Sequence, residues 1–181
     1  MKRIGFIIGL AFLVFGCKSD PNAESIKKID ELLTEVSTAE KELSSFSPEK
    51  VLPYMDTISF DVKFIEQEYK DTMTLELGVK VEGYYRIIRS ISKFDKTYKD
   101  QSKDILYSRK QLNNLKSDLS TGVLDSNLLA MYLPAEAEAV ERLTESNANL
   151  KIWYDNIESN FIKKRSPIDS LIEVIKLNAG F

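Results

Sequence analysis

The sequence predicts an all-α protein, an elongated antiparallel helical bundle of four to five helices with coiled-coil-like packing. Apolar residues recur at spacings of three and four over most of the chain, which is the period of a helix. Between Tyr84 and Leu119 the spacing becomes a strict heptad, a pattern typical of helices packed side by side. Only seven glycines occur in 181 residues, and Gly5, Gly9 and Gly16 lie near the N-terminus. This scarcity disfavours a domain rich in loops or strands.

Two helices are predicted before residue 70. The first spans 23–46. Ser47 is then placed to cap a second helix with Pro48 in its first turn, where a missing N–H costs nothing. Pro53 follows in the second turn and is expected to bend the helix or to delay its start. The two apolar stripes consist of Ile26, Ile29, Leu32, Leu33, Val36, Ala39, Leu43 and Phe46, and of Met55, Ile58, Val62, Ile65 and Tyr69.

Residues 73–81 fit two patterns. Apolar and polar side chains alternate there, which is the period of a strand. No second strand is evident to pair with this segment. We therefore favour a helix, with Gly78 and Gly83 as its weak points.

A long helix from Tyr84 to Leu119 is predicted to extend over more than about 50 Å. Residues 118–122 end it, and either Asp125 or Ser126 can cap the next helix. The heptad positions of the long helix are Tyr84, Ile87, Ile91, Phe94, Tyr98, Gln101, Ile105, Ser108, Leu112, Leu115 and Leu119.

The C-terminal third is predicted to form one helix with a kink or break at Pro134, followed by a short apolar helix after Pro167. That last helix either packs on the bundle or docks a partner, and packing is favoured. The stripe of the longer helix is Leu129, Tyr132, Ala139, Leu143, Ser146, Leu150, Trp153, Ile157 and Phe161.

Polar residues interrupt both long stripes at matching levels. An antiparallel hairpin that turns near Val123 places Gln101 beside Glu145 and Ser146, and Ser108 near Glu138 and Ala139. Such a polar layer either sets the register of the helices or binds a small polar ligand. Setting the register is the commoner use, so we favour it.

The first 17 residues have the layout of a secretory signal. Lys2 and Arg3 are positive, and residues 4–15 form an apolar or glycine stretch. The stretch is too short for a membrane-spanning helix, which needs about 20 apolar residues.

The tetrapeptide Val14-Phe15-Gly16-Cys17 resembles a bacterial lipobox, in which a small residue precedes the cysteine that becomes lipidated. Gly16 fits that pattern, whereas Phe15 is bulky where Ala or Ser is usual. The resemblance implies a removed signal peptide at 1–16, a lipidated N-terminus and short tether at 17–22, and a single helical-bundle domain at 23–181. The alternative is an ordinary signal peptide that ends near a free thiol.

The resemblance also implies a location. Lys18-Ser19-Asp20 is similar to the short acidic tag that directs some Bacteroidota lipoproteins to the cell surface. A lipid anchor at Cys17 implies the bacterial cell envelope, with the outer membrane favoured and either a periplasmic or a surface-facing domain. A tether of five residues spans at most about 18 Å, so the domain would lie close to its membrane.

Composition excludes several kinds of chemistry. The sequence has no histidine, which removes Ser-His and Cys-His catalytic pairs and the usual zinc sites. The net charge is −3, and loss of Lys2 and Arg3 with the leader makes it −5, so nucleic acid is an unsuitable partner. Neighbouring carboxylates at Glu138, Glu141 and Glu145 fit a solvated face better than a metal or acid-base site. We predict no catalytic residue, cofactor or metal ligand.

Two basic groups and two aromatic pairs are the remaining candidates. Arg86, Arg89 and Lys93 share one helix face, and 163–165 is a compact basic run. Either group could contact lipid headgroups or a partner, although solvated positions explain both more simply, with a helix C-terminus as a further reason for the second. The aromatic pairs are Trp153-Tyr154 and Tyr84-Tyr85, which are expected to belong to the core and its rim.

The sequence therefore predicts a membrane-anchored envelope lipoprotein that acts as a structural or protein-interaction component. The alternative is a carrier or chaperone for an apolar ligand held in a bundle groove, and a carboxylate-based enzyme ranks last. Cys17 is the one predicted site residue. A protein partner in the envelope is expected in addition to the membrane, and no motif specifies that partner or an oligomeric state.

Overall fold

The computed structural model describes residues 22–179, and over that range it contains helices and their connections without a strand. The α-helices are α1 (Ala23–Ser44), α2 (Pro53–Glu68), α3 (Leu75–Ser120) and α4 (Ser126–Ala179), with a 3₁₀ turn (Pro48–Lys50) between the first two. None of the helices in this range combines the length and the hydropathy that crossing a membrane requires.

The bundle has three helices in cross-section, because α1 and α2 pack one after the other along α3 and α4. Each of them packs on both α3 and α4, which also pack on one another. At about 1.5 Å per residue, α3 is about 69 Å long and α4 about 81 Å long, so the bundle is elongated. Side-chain pairs that show α3 running antiparallel to α1 and α4 are Arg109 with Glu40, Lys116 with Asp30, Ser90 with Trp153, and Gln101 with Asn147.

The all-helical class and the packing of long helices into a bundle are confirmed, but the helix count differs, because the bundle is three helices across and the described range has no fifth α-helix. The separate helix predicted after Pro167 does not exist, because α4 continues without interruption through both Pro134 and Pro167. Each proline removes one N–H···O bond from the helix, at a cost of about 3 kcal/mol. Burial of apolar side chains on both sides of each proline offsets that cost.

The predicted stripe of α4 is confirmed at Leu143, Leu150, Ile157 and Phe161, which are buried. Its positions Ala139, Ser146 and Trp153 are only partly buried, and Tyr132 is exposed. A second buried series recurs every seven positions at Val140, Asn147, Tyr154, Phe161, Ile168 and Ile175. Because this series crosses Pro167 without a shift in register, the end of α4 packs on the bundle as part of the same helix.

The segment 73–81 is helical from Leu75 onward, as favoured. Thr74 caps α3: its Oγ1 accepts a hydrogen bond from the backbone N–H of Leu77 at 3.3 Å. The strand-like alternation is fortuitous, because Leu75 and Val79 face solvent whereas Val81 is buried.

The connection between α1 and α2 is part of the core. Phe46, Pro48 and Val51 are buried there. Ser47 is an N-cap as predicted, and its hydroxyl accepts from the N–H of Glu49, but it caps the 3₁₀ turn and not α2. The α-helix begins only at Pro53, so this proline delays its start.

The predicted heptad of α3 is confirmed. Every one of its positions is buried except Tyr98, which is half-buried. The turn after α3 also follows the prediction, since the Asp125 carboxylate accepts from the N–H groups of Asn127 and Leu128 at 2.8 and 2.9 Å.

Candidate functional site

Cys17 and the predicted leader lie outside the described residues. The described chain begins at Asn22, whose side-chain amide donates to the carbonyl of Leu119 at 3.5 Å. Leu119 lies in the last turn of α3. The N-terminal segment therefore joins the bundle at the end that carries the turn between α3 and α4.

A buried polar layer crosses the middle of the bundle. Gln101 Nε2 donates to the carbonyl of Leu143 and to Asn147 Oδ1, both at 2.9 Å. Asn147 Nδ2 then donates to the carbonyl of Ala39 at 2.6 Å. Since these residues belong to α3, α4 and α1, the layer connects all three helices of the bundle at one level.

The layer agrees only in part with the predicted one. Gln101 and Ser108 are buried as expected, but Glu138 and Glu145 are exposed and Ser146 is partly buried. The central partner is Asn147, which the sequence analysis missed. Within the described part of the chain, every buried side-chain nitrogen and oxygen has a hydrogen-bond partner. The layer therefore supports the register explanation, because its polar groups are satisfied by the protein itself.

A second buried polar contact joins α2 to α3. Tyr84 Oη donates to Asp61 Oδ2 at 2.8 Å, and both residues are buried. Burial, together with the hydrogen bond to the carboxylate, raises the pKa of Tyr84 far above its usual range. Sequence analysis missed Asp61, although it lies three residues after Ile58 and four before Ile65, on the apolar stripe of α2.

We expect stability to change little between about pH 6 and pH 9 and to fall above about pH 10. The unfolded chain releases tyrosine protons near pH 10, whereas Tyr84 and Tyr154 keep theirs in the folded chain. The pKa of Tyr154 is raised by burial and by its hydrogen bond to Glu158. Unfolding therefore becomes more favourable as the pH rises through that range. Chemical denaturation at a series of pH values measures this dependence.

Tyr84→Phe should reduce the loss of stability above about pH 10. Tyr107 is exposed, so Tyr107→Phe should leave that loss unchanged. At neutral pH the first variant should lose about 1–3 kcal/mol, because the Asp61 carboxylate loses its donor. An alkaline decline in Tyr84→Phe as steep as that of the unchanged protein would contradict the assignment.

The three neighbouring carboxylates of α4 singled out in the sequence lie on a solvated face. Glu138, Glu141 and Glu145 are all exposed, and Glu138 forms an ion pair with Arg142 at 2.6 Å. No group of three residues able to hold a metal ion occurs between residues 22 and 179.

The basic run 163–165 lies inside α4, so the predicted helix C-terminus at this point is wrong. Lys164 Nζ donates to the carbonyl of Gly83 on α3 at 3.0 Å. Arg165 forms an ion pair with Asp169 and lies over the ring of Phe161. Two of the three charges thus have structural contacts.

The other basic group lines a groove between α3 and α4, which we call the α3–α4 groove and define by Tyr85, Arg86, Arg89, Lys93 and Trp153. Its basic residues are exposed, as is Tyr85. Trp153 is held in the lining of the groove, because its indole N–H donates to the hydroxyl of Ser90 at 2.8 Å and its ring packs against Phe94.

Charge in the α3–α4 groove is only partly neutralised. Arg86 forms an ion pair with Glu82 at 2.7 Å. Arg89 and Lys93 form no ion pair with any residue of the described chain. In an acidic protein with a net charge of −3, this groove is a local site of positive charge beside aromatic rings.

No protein-family model matches the chain, and no curated protein or solved structure is significantly similar to it. The class that the fold defines is an all-α bundle of long helices.

Proposed function

We propose that this protein is a lipid-anchored component of the bacterial cell envelope and that it binds an acidic segment of a protein partner in the α3–α4 groove. The observation that supports the binding role is the pair of unneutralised cations, Arg89 and Lys93, next to Trp153. Arginine and aromatic residues are enriched where protein interfaces gain most of their affinity. Opposite charge on the partner would be attracted to this groove and disfavoured elsewhere on the acidic surface.

The position of the groove supports the same role. Arg89 lies 30 residues before Leu119 on one continuous helix, a separation of about 45 Å along the axis. Leu119 contacts Asn22, where the described chain begins. An anchor at Cys17 would therefore attach to the bundle about 45 Å along its axis from the groove, which leaves the groove free to meet a partner that is not itself embedded.

Charge reversal within the groove tests this proposal. We expect Arg89→Glu with Lys93→Glu to reduce capture of the partner about ten-fold in cells, because attraction to an acidic segment becomes repulsion. The measurement is in-cell crosslinking of the full chain, followed by purification and quantification of crosslinked proteins by mass spectrometry.

The matched control is Lys96→Glu with Lys110→Glu. These lysines are exposed on the same helix and outside the groove, so the control changes net charge by the same amount. If both double variants capture the same proteins in equal amounts, the groove is not the binding site.

A further inference from the structure

An exposed apolar surface lies at the end of the bundle where the described chain begins. We call it the apolar tip and define it by Val123, Leu128, Met131 and Tyr132, all of which are exposed. Val123 belongs to the turn after α3, and the others to the first two turns of α4. No charged residue occurs from 126 to 135, a run of ten residues in a chain that is 29% charged.

Packing does not explain these side chains. Leu129 and Leu133 are the residues of this segment that pack against the core. Met131 lies two positions from each, which places it on the opposite side of the helix at about 100° per residue. Further along α4 the outward positions include charged residues, as at Glu138, Glu141 and Arg142, with exposed apolar residues such as Ile152 and Ile162 beyond them. The uncharged run of ten residues lies at the tip.

The tip is next to the point from which the N-terminal segment departs. Asn22 contacts the carbonyl of Leu119, and Val123 follows Leu119 by only four residues. Five residues separate Cys17 from the start of α1, and they span at most about 18 Å. A lipid at Cys17 would hold the start of α1 within that distance of the bilayer surface, and the tip lies at the same end of the bundle.

From this juxtaposition we infer that the apolar tip inserts into the interface of the bilayer that carries the lipid anchor. The inference rests on the proposed lipidation of Cys17. Leu128, Met131 and Val123 supply apolar surface, and Tyr132 has the amphipathic ring that suits the headgroup level. The charged residues that flank the tip in the sequence, Asp118, Asp125 and Glu136, are acidic, so contact is driven by apolar burial and does not need anionic lipid. The bundle then has two attachments at one end, and its α3–α4 groove stands away from the membrane.

Depth-dependent quenching in the full lipidated chain tests this inference. Cys17 is the only cysteine and is consumed by the lipid, so one introduced cysteine gives a single site for a polarity-sensitive fluorophore. Met131→Cys places the label on the tip. Val174→Cys is the matched control, because it lies near the other end of α4 and the two positions are similarly exposed, at 57% and 53%. Each protein is reconstituted into phosphatidylcholine vesicles with or without brominated lipid.

We expect brominated lipid to reduce emission from position 131 about two-fold or more and to leave position 174 unchanged, because an inserted side chain reaches the acyl boundary. A label at Val123→Cys should show the same quenching. Adding Leu128→Ser and Met131→Ser to the chain labelled at Val123→Cys should remove this quenching while the chain stays bound to vesicles. This second comparison separates insertion by the tip from mere closeness to the tether.

Three results would overturn the inference. Equal emission at both positions in a chain that floats with the vesicles would reject insertion and leave the anchor in place. A label at 131 that is shielded only at high protein density, with no quenching by lipid, would mean that the tip binds a second copy of the chain. A chain that does not float with vesicles would reject the proposed anchor together with the inference.

Discussion

Asn147→Ala is expected to lower the free energy of unfolding by about 2–4 kcal/mol, one of the two largest effects that the structure predicts. The substitution removes two of the three hydrogen bonds of the central polar layer. Gln101 loses an acceptor for its amide, and the carbonyl of Ala39 loses a donor, inside a core where water does not replace them. Denaturation of the full chain, followed by circular dichroism, measures the change.

Two further variants make that result interpretable. Asn149→Ala changes an exposed asparagine on the same helix and should cost less than about 0.5 kcal/mol. Gln101→Leu with Asn147→Leu removes both polar partners at once and should recover most of the stability that Asn147→Ala loses, at the expense of a defined register. An Asn147→Ala protein as stable as Asn149→Ala would contradict the polar layer.

Loss of the proposed lipid anchor at Cys17 is expected to have the largest effect on function. We expect Cys17→Ala, made in a chain with an ordinary cleavable secretory signal, to shift the ratio of membrane-bound to soluble protein by about 100-fold or more. Two or three acyl chains hold a protein durably on a bilayer, and one chain holds it only marginally. The apolar tip alone is a weaker attachment than any of these, because it offers only a few side chains.

Fractionation of cells into membrane and soluble envelope proteins measures that shift. Lys18→Ala, which changes the next residue and leaves the cysteine, is the matched control and should remain in the membrane fraction. Recovery of the Cys17→Ala protein in the membrane fraction to the same extent as the control would show that another feature holds it there.

The α3 helix could be predicted from the sequence because no second series of positions along it matches the heptad in apolar character. From Tyr84 to Leu119, only one series of positions is apolar enough to face a core, and it is buried as expected. The start of α3 was harder, since residues 73–81 carry apolar side chains on two sides of the helix. Leu75 and Val79 are exposed although they are as apolar as the buried Val81.

The register of α4 could be predicted only in part, because two series compete one residue apart. The predicted stripe includes Tyr132, Ala139, Ser146 and Trp153, whereas a second series through Leu133, Val140, Asn147 and Tyr154 packs in the core. Extending the second series to Phe161, Ile168 and Ile175 would have revealed it. The separate helix expected after Pro167 hid that continuity.

The candidate site was predicted in part. Arg86, Arg89 and Lys93 share a face of α3 as expected, and sequence alone identifies that face. The contribution of Trp153 depends on how α4 packs against α3, so it became visible only once the hydrogen bond to Ser90 was known. The same limit applies to Asp61 and Tyr84, which come from different helices.

The mass of the N-terminal peptide, isolated from the membrane fraction of cells that express the natural chain, tests the central claim most directly. A lipid-anchored protein predicts a chain that begins at Cys17 and carries two or three acyl chains on that residue. A chain that begins at another residue, or an unmodified thiol at Cys17, would contradict the anchor and with it the placement of the bundle at the membrane.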